Sequence, residues 1–265
     1  MTTYIGTPGA LMKVACPSRL SSGGGRAVTF EDTQTRRKAF LGRTALREWS
    51  VDLSAASPAD VAVFEYLADY GTPPFVYYPD DAVLHNVLTP AWAALAPGTH
   101  TGADVGLVEV EPGLFVKAVA ASGSNFSFPR DNNTLTPLPF PSGRAVTVSA
   151  WMRGGTVSGD TQISVVWRGA AGENITTEST RFPGSAVLAR RHVTLTPPPG
   201  AATMTFQFWA QQTAGIAVSL TNHLTPYAPG RGARRAVVHG LTRDLLVAYD
   251  RLTLESASFT VTEVG

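Results

Sequence analysis

The chain has 265 residues, enough for one large or two medium domains with proper cores. Only 15% of its residues are charged and the formal net charge is +1, so no global field draws it to nucleic acid or to an anionic membrane surface. Cys16 is the sole cysteine, which rules out an intrachain disulfide and a multi-thiolate metal centre; it reads as a small buried hydrophobe.

The opening "MTTYIGTPGALMKVACP" lacks a basic stretch followed by a long apolar run, so no signal peptide is expected. No stretch approaches about 18 consecutive apolar residues, the length of a spanning helix. Residues 10 to 53 read as short strands broken by turns. Among them "SRLSSGGG" reads as a flexible polar loop around Gly23 to Gly25. In "LREWSVDL", Arg47, Trp49, Val51 and Leu53 share one face, which places Trp49 in the core. A helix is predicted over about 58–70. Ser57 is its N-cap, Pro58 its first residue and Asp60 sits three after the cap; Val61, Phe64, Leu67 and Ala68 form one face, and Gly71 supplies the stop. "PPFVYYP" gives another strand, and "DDAVLHNVLTPAWAALAPG" reads as an exit segment.

From about 105 to 225 strand candidates recur with Gly, Pro, Asn and Ser turns and no helix: "LFVKAVAA", "AVTVSAWMR", "QISVVWRG", "HVTLTPPP", "TMTFQFWAQ" and "IAVSLTNHL". That spacing predicts a β-sandwich or jelly roll. Residues 234–265 return to strand–turn–strand, too short for a core of their own. The fold class is therefore mainly β: a discontinuous domain of residues 1–88 and 229–265 with one α-helix, and an inserted β-sandwich over 89–228.

No nucleophile elbow, phosphate loop or dinucleotide fingerprint is present, and the five histidines lack metal-ligand spacing and read as surface or turn residues. Carboxylates at Glu109, Glu111, Asp131, Asp160, Glu173 and Glu178 lie mainly in turns, so catalysis is not expected. "RDNNT" (Arg130 to Thr134) carries oxygens of the kind that bind calcium, but as a turn it needs no metal; no cofactor is expected.

Strand alternation is more informative. Trp151 lies with Thr147, Ser149 and Arg153, opposite Val146, Val148, Ala150 and Met152. Trp209 lies with Thr205, Gln207 and Gln211, opposite Met204, Phe206 and Phe208. An aromatic face stacks on a sugar ring while amides and guanidinium groups bind its hydroxyls. Trp151, Arg153, Gln207, Trp209 and Gln211 are thus the candidate carbohydrate-binding residues, the alternative being that each Trp packs under a loop or against a neighbouring domain. Trp167, aligned with Ile163 and Val165, reads as core. The basic stretch "PYAPGRGARRAVVHGL" reads as the crossing between the two domains, not as a nucleic-acid patch. Its Arg231, Arg234 and Arg235 are candidate contacts to a neighbouring subunit or to Asp80 and Asp81 at the outgoing junction.

"LREWSVDL … SPADVAVFEYLADYGTPPFVYYPDDAVLHNVLTP", together with "YAPGRGARRAVVHGL … ASFTVTEVG", resembles minor tail proteins of siphophages infecting actinobacteria, relatives of the distal tail protein. "VTVSAWMRG", "QISVVWRGAAGENI" and "HVTLTPPPGAATMTFQF" resemble a jelly-roll carbohydrate-binding module. The resemblance implies a virion protein at the tail tip, assembled in the host cytoplasm. Its belt domain would form a ring, most often of six copies, between the tail-tube protein and a baseplate hub or tape-measure protein. Its inserted module would face outward, where it can touch host-wall glycan. Two other functions remain open at this level: a receptor-binding adhesin for wall polysaccharide, and a glycan-active enzyme.

Overall fold

In the computed structural model the described residues are 2–14, 19–24, 28–32, 38–42, 47–70, 75–121, 125–132, 134–154, 159–249 and 252–264. The chain is mainly β. Its first part contains β1 (Thr3–Thr7), β2 (Ala10–Val14), β3 (Arg19–Gly24), β4 (Val28–Asp32), β5 (Lys38–Gly42) and β6 (Arg47–Ala56). Helix α1 (Pro58–Glu65) runs on as a π-helical turn, Tyr66–Tyr70; then come β7 (Phe75–Tyr78), α2 (Asp80–His85) and α3 (Pro90–Ala93). The central strands are β8 (Ala103–Glu111), β9 (Leu114–Ala120), β10 (Phe126–Phe128), β11 (Arg130–Asp131), β12 (Thr134–Leu135) and β13 (Leu138–Pro139). They continue as β14 (Val146–Arg153), β15 (Thr161–Arg168), β16 (Asn174–Phe182), β17 (Ala189–Leu195), β18 (Thr203–Trp209) and β19 (Gln212–Ser219). Two long strands, β20 (Ala233–Tyr249) and β21 (Leu252–Glu263), close the chain.

The chain divides into two compact units, one of Met1–Thr3, Lys13–Tyr77 and Arg234–Gly265, the other of Tyr4–Met12 and Tyr78–Ala233. The second unit therefore begins before residue 89 and ends after residue 228. In the first unit β21 pairs with β20 on one side and β6 on the other, setting Val261 opposite both Val238 and Trp49. Trp49, Val51, Phe259 and Val261 are buried, which puts Trp49 in the core as the alternation predicts. Arg47 clamps this register: its guanidinium donates to both carboxylate oxygens of Glu263, at 2.8 and 3.0 Å, and lies 5.0 Å from the Trp49 ring. The expected loop at Gly23 is instead the end of β3, which pairs along β6 from Arg19↔Asp52 to Gly24↔Arg47. Backbone pairing needs no apolar side chain, so a Ser/Gly strand leaves no alternation to read. Gly25 and Cys16 lie outside the described residues.

Helix α1 starts where its signals place it. The Asp60 backbone N–H donates to Ser57 Oγ at 3.2 Å, the Ser57 hydroxyl donates to Asp60 Oδ2 at 2.7 Å, and Pro58 occupies the first turn. Val61, Phe64 and Leu67 are buried, and Phe64 stacks on Phe259 with centroids 4.4 Å apart. The proposed stop, Gly71, is not among the described residues.

The second unit is a β-sandwich. One sheet runs β10-β18-β15-β16, with β13 also alongside β18; the other runs β17-β14-β19-β9-β8. Val148, Ala150 and Met152 of one sheet, and Ile163, Val165, Trp167, Met204, Phe206 and Phe208 of the other, are fully buried and form the inner layer. Helices α2 and α3 were read from the sequence only as an exit segment. For α3 the start signal repeats that of α1: Pro90 stands in its first turn and Thr89 Oγ1 accepts from the Trp92 N–H at 3.2 Å.

The outgoing and returning stretches of this unit are held together by buried Asn86. Its amide donates to the carbonyl of Ala228 at 3.0 Å and faces that of Ile216 at 3.4 Å, while its Oδ1 accepts from the N–H of Leu88 and Val218 at 3.2 and 3.1 Å. The returning backbone runs so close that a Cβ on Gly232 would lie 2.0 Å from the Val87 carbonyl oxygen, and one on Gly230 would lie 2.3 Å from that of Thr89. Asn86→Ala is expected to lower the unfolding free energy by about 3 kcal/mol, because it strands several buried backbone groups at once. Urea denaturation of the full chain measures this, and a loss under about 1 kcal/mol would contradict the bracing role.

Candidate functional site

A two-layer sandwich spends one face of every strand on the core, so binding side chains must come from its two outer faces or its loops. Trp151 and Trp209 both point away from the core, but from different sheets, β14 and β18. They therefore lie on opposite outer faces and do not build one shared platform.

On the face carrying Trp151 the tryptophan itself is covered. Trp151 is only 2% exposed and packs with Val116, Ala118 and Ala214 from β9 and β19. Opposite it on β17, the Arg190 guanidinium lies 4.9 Å over the indole; its Nη2 donates to the Thr225 carbonyl at 2.8 Å and to Ser149 Oγ at 3.4 Å. Tyr227 then meets the indole edge-on, with centroids 5.3 Å apart and planes at 75°. The returning stretch thus lies over Trp151, and the packing alternative holds for this residue. Burial pushes the Tyr227 phenol above its ordinary value of 10.0, partly offset by the positive Arg190. Burial likewise lowers the Arg190 guanidinium, opposed by Glu111 and Tyr227.

The other outer face is polar and open towards β16. Register places Trp209, Gln162 and Arg181 in one row across β18, β15 and β16. The next row is Ser127, Gln207, Ser164 and Ser179. Trp209, Gln207 and Gln162 are half-buried, whereas Ser179 and Arg181 are exposed. A chain of contacts fixes these groups: Arg181 Nε donates to Gln162 Oε1 at 3.2 Å, Gln162 Nε2 to Ser164 Oγ at 2.8 Å, and Ser164 and Ser179 hydroxyls meet at 2.9 Å. The Trp209 indole N–H is enclosed and has no hydrogen-bond partner.

Two further candidates meet where β18 turns into β19, Arg153 being the last residue of β14. Gln211, exposed in the turn to β19, donates its backbone N–H to the carbonyl of exposed Arg153 at 3.1 Å. Gln211 also lines an open pocket of about 460 Å³ with Gly154, Gly159, Asp160, Gly184, Ser185 and Ala186. Of the five sequence candidates, then, Gln207 and Trp209 share one face, Gln211 and Arg153 meet at one end of the sandwich between the two sheets, and Trp151 is elsewhere and covered. Gln162 and Arg181 were missed. The signal for Gln162 lay in the polar side of "QISVVWRG", opposite the core side that identified Trp167, but β16 has no apolar alternation to announce it.

At the junction, Arg231 Nη1 pairs with Asp81 Oδ2, while Asp80 Oδ1 accepts from the Asp81 backbone N–H at 2.9 Å at the start of α2. Arg234 and Arg235 open β20 in the first unit, where the Arg235 carbonyl accepts from the Val264 N–H at 2.8 Å. The candidate carboxylates are dispersed. Glu178 accepts from the Trp167 indole at 2.7 Å, Asp131 from the Trp92 indole at 3.1 Å, and Glu109 from the Gly113 N–H at 2.8 Å. His100 departs from its expected surface position: it is buried, with Nε2 3.2 Å from the Leu95 carbonyl. Asn133 of the "RDNNT" turn lies outside the described residues. Among those described, no cluster of three His, Cys, Asp or Glu side chains is placed to hold a metal.

No family model matches the chain, and no curated protein matches its sequence. Among solved structures, the neighbours include phage tail proteins and carbohydrate-binding modules. The enzymatically active domain of bacteriophage CBA120 tailspike protein 4 aligns at TM-score 0.38 and 13% identity, over 51% of this chain but only 21% of the tailspike chain. A carbohydrate-binding module from the β-sandwich superfamily aligns at TM-score 0.32 and 10% identity, over 83% of this chain and 84% of that one. The Dit protein of phage SPP1 aligns at TM-score 0.16 and 10% identity, over 98% of each chain. TM-scores of this size assign no function.

The Tyr227 shift gives a pH test. A phenol whose folded value is raised contributes stability that is present below its ordinary value of 10.0 and is lost as pH rises through the folded value. Urea midpoints followed from pH 8 to 11 should fall at the alkaline end, and Tyr227→Phe should flatten that fall while keeping the edge-on contact. An identical alkaline slope in both proteins would show that Tyr227 is not buried against Arg190 and Trp151.

Proposed function

We propose that the chain is a component of a phage tail tip, a ring-forming subunit of the distal-tail type whose sandwich unit binds host-wall glycan. The observation that carries the glycan reading is the row Trp209–Gln162–Arg181, in which one half-buried indole lies beside an amide and a guanidinium tied to each other. An indole offers a flat apolar surface to the C–H side of a sugar ring, and the amide and guanidinium offer directed donors to its hydroxyls. The next row adds half-buried Gln207 and exposed Ser179 to the same polar surface, joined through buried Ser164. Ring formation and contacts to a tail-tube protein, hub or tape-measure protein rest on the resemblance of residues 40–90 and 225–265 to distal-tail relatives. Glu178, Asp131 and Glu109 are each tied to a nearby N–H, which supports a binding role without catalysis.

Calorimetric titration of the full chain with host cell-wall polysaccharide tests the glycan reading. Trp209→Ala should weaken binding tenfold or more, about 1.4 kcal/mol, and Gln162→Ala should weaken it by less. Wall polysaccharide that fails to bind, or binds Trp209→Ala and parent alike, would defeat the reading. The tail-tip assignment is tested separately: the chain should appear in purified virions and sediment as a ring, whereas a monomer at high concentration that is missing from particles would refute it.

A further inference from the structure

Resting on the glycan reading of this face, we infer that its ligand is an anionic glycan, one whose rings carry a carboxylate or a phosphodiester. The four strands of the face present two arginines and no acid. Reading along β15, the outward positions are Gln162, Ser164, Val166 and Arg168. Beside them on β16 stand Arg181, Ser179, Thr177 and Asn174, and on β18 Trp209, Gln207, Thr205 and Thr203; of all these Ser164, Thr205 and Thr203 are buried. Arg181 and Arg168 therefore mark the two ends of the face, six residues apart on β15 and so about 20 Å apart along the strand.

Neither arginine is neutralised. Arg181 uses Nε on Gln162 Oε1, and Arg168 donates from Nη1 to the Gly172 carbonyl at 3.1 Å. Among the described residues neither forms an ion pair with a carboxylate. The acid on these strands, Glu178 of β16, is in register with inward-facing Val165 and accepts from the Trp167 indole at 2.7 Å; in the flanking loops Asp160 lines the pocket with Gly184, and the Glu173 carboxylate lies over Gly169. Each guanidinium is thus held in place by a neutral acceptor with donors to spare. That arrangement suits the two oxygens of a carboxylate or phosphate, which a guanidinium takes in bidentate fashion. Arg181 stands two strands from Trp209 in the same row, about 10 Å between backbones. A ring stacked on Trp209 lies over Gln162 and directs an acidic substituent towards Arg181. A neutral glycan would leave both cations unanswered.

The test uses paired polymers that differ only in charge, titrated against the full chain: polygalacturonate against its methyl ester, and phosphomannan against neutral mannan. At low salt at least one acidic polymer should bind ten times more tightly than its neutral partner, and 0.5 M salt should erase most of that margin. Arg181→Gln should remove the preference, bringing the acidic polymer down to the affinity of its neutral partner, with an unaltered thermal midpoint showing that it folds. The polymer pair that shows the preference identifies the charge as carboxylate or phosphodiester. Equal binding within both pairs that is still lost in Trp209→Ala overturns the charge inference and leaves the glycan reading standing. So does a preference that survives Arg181→Gln together with Arg168→Gln. Binding in no pair, or binding indifferent to Trp209→Ala, overturns both.

Discussion

The packing of Arg190 and Tyr227 around Trp151 decides what the sandwich unit has left to work with. A sandwich has two outer faces, and this contact covers the tryptophan of one of them within the unit. A guanidinium over the indole, a phenol at its edge and a carbonyl of the returning chain holding the guanidinium leave Trp151 with almost no surface. The chain thereby secures its exit stretch with a cation–π contact, an aromatic edge and a charge-assisted hydrogen bond. Binding chemistry is displaced to the opposite sheet.

On that sheet the polar groups are ordered by one another. Arg181, Gln162, Ser164 and Ser179 form a continuous run of hydrogen bonds across two strands, so their side chains are set before any ligand arrives. Pre-set donors lower the entropy that a flexible polar surface loses on binding. Trp209 stands at the end of its strand, next to the turn carrying Gln211 and the pocket lined by Asp160 and Ser185. Apolar surface, directed polar groups and a recess thus occur at one end of the sandwich.

Sequence alternation made most of the architecture legible. The longer strands with a buried face were readable, because residues such as Val148, Phe206 and Trp167 repeat every second position against polar partners, whereas β1 and the three-residue β10 were not, although Ile5, Phe126 and Phe128 are buried. Helix α1 was readable from Ser57, Pro58 and Asp60. The same signature at Thr89 and Pro90 was overlooked because α3 is only four residues long and shows no helical period. Strands β3 and β16 escaped for a different reason: one is Ser/Gly-rich and the other almost wholly exposed, so neither has a hydrophobic phase. The candidate site was half legible. Alternation says which residues point outward, but not which sheet a strand joins or what crosses over it. Trp151 and Trp209 look equivalent in sequence, and only strand order and the path of Tyr227 tell them apart.

That difference between two tryptophans can be measured directly. Of the five in the chain, Trp49, Trp92, Trp151 and Trp167 are at most 4% exposed, and Trp209 alone is half-buried. Limited oxidation with N-bromosuccinimide, read residue by residue by mass spectrometry with and without host-wall polysaccharide, reports on each separately. Oxidation at Trp209, suppressed by the polysaccharide, with Trp151 unmodified in both conditions, is the predicted result. Oxidation of Trp151 in the folded chain, or protection by polysaccharide at Trp151 and not at Trp209, would contradict it.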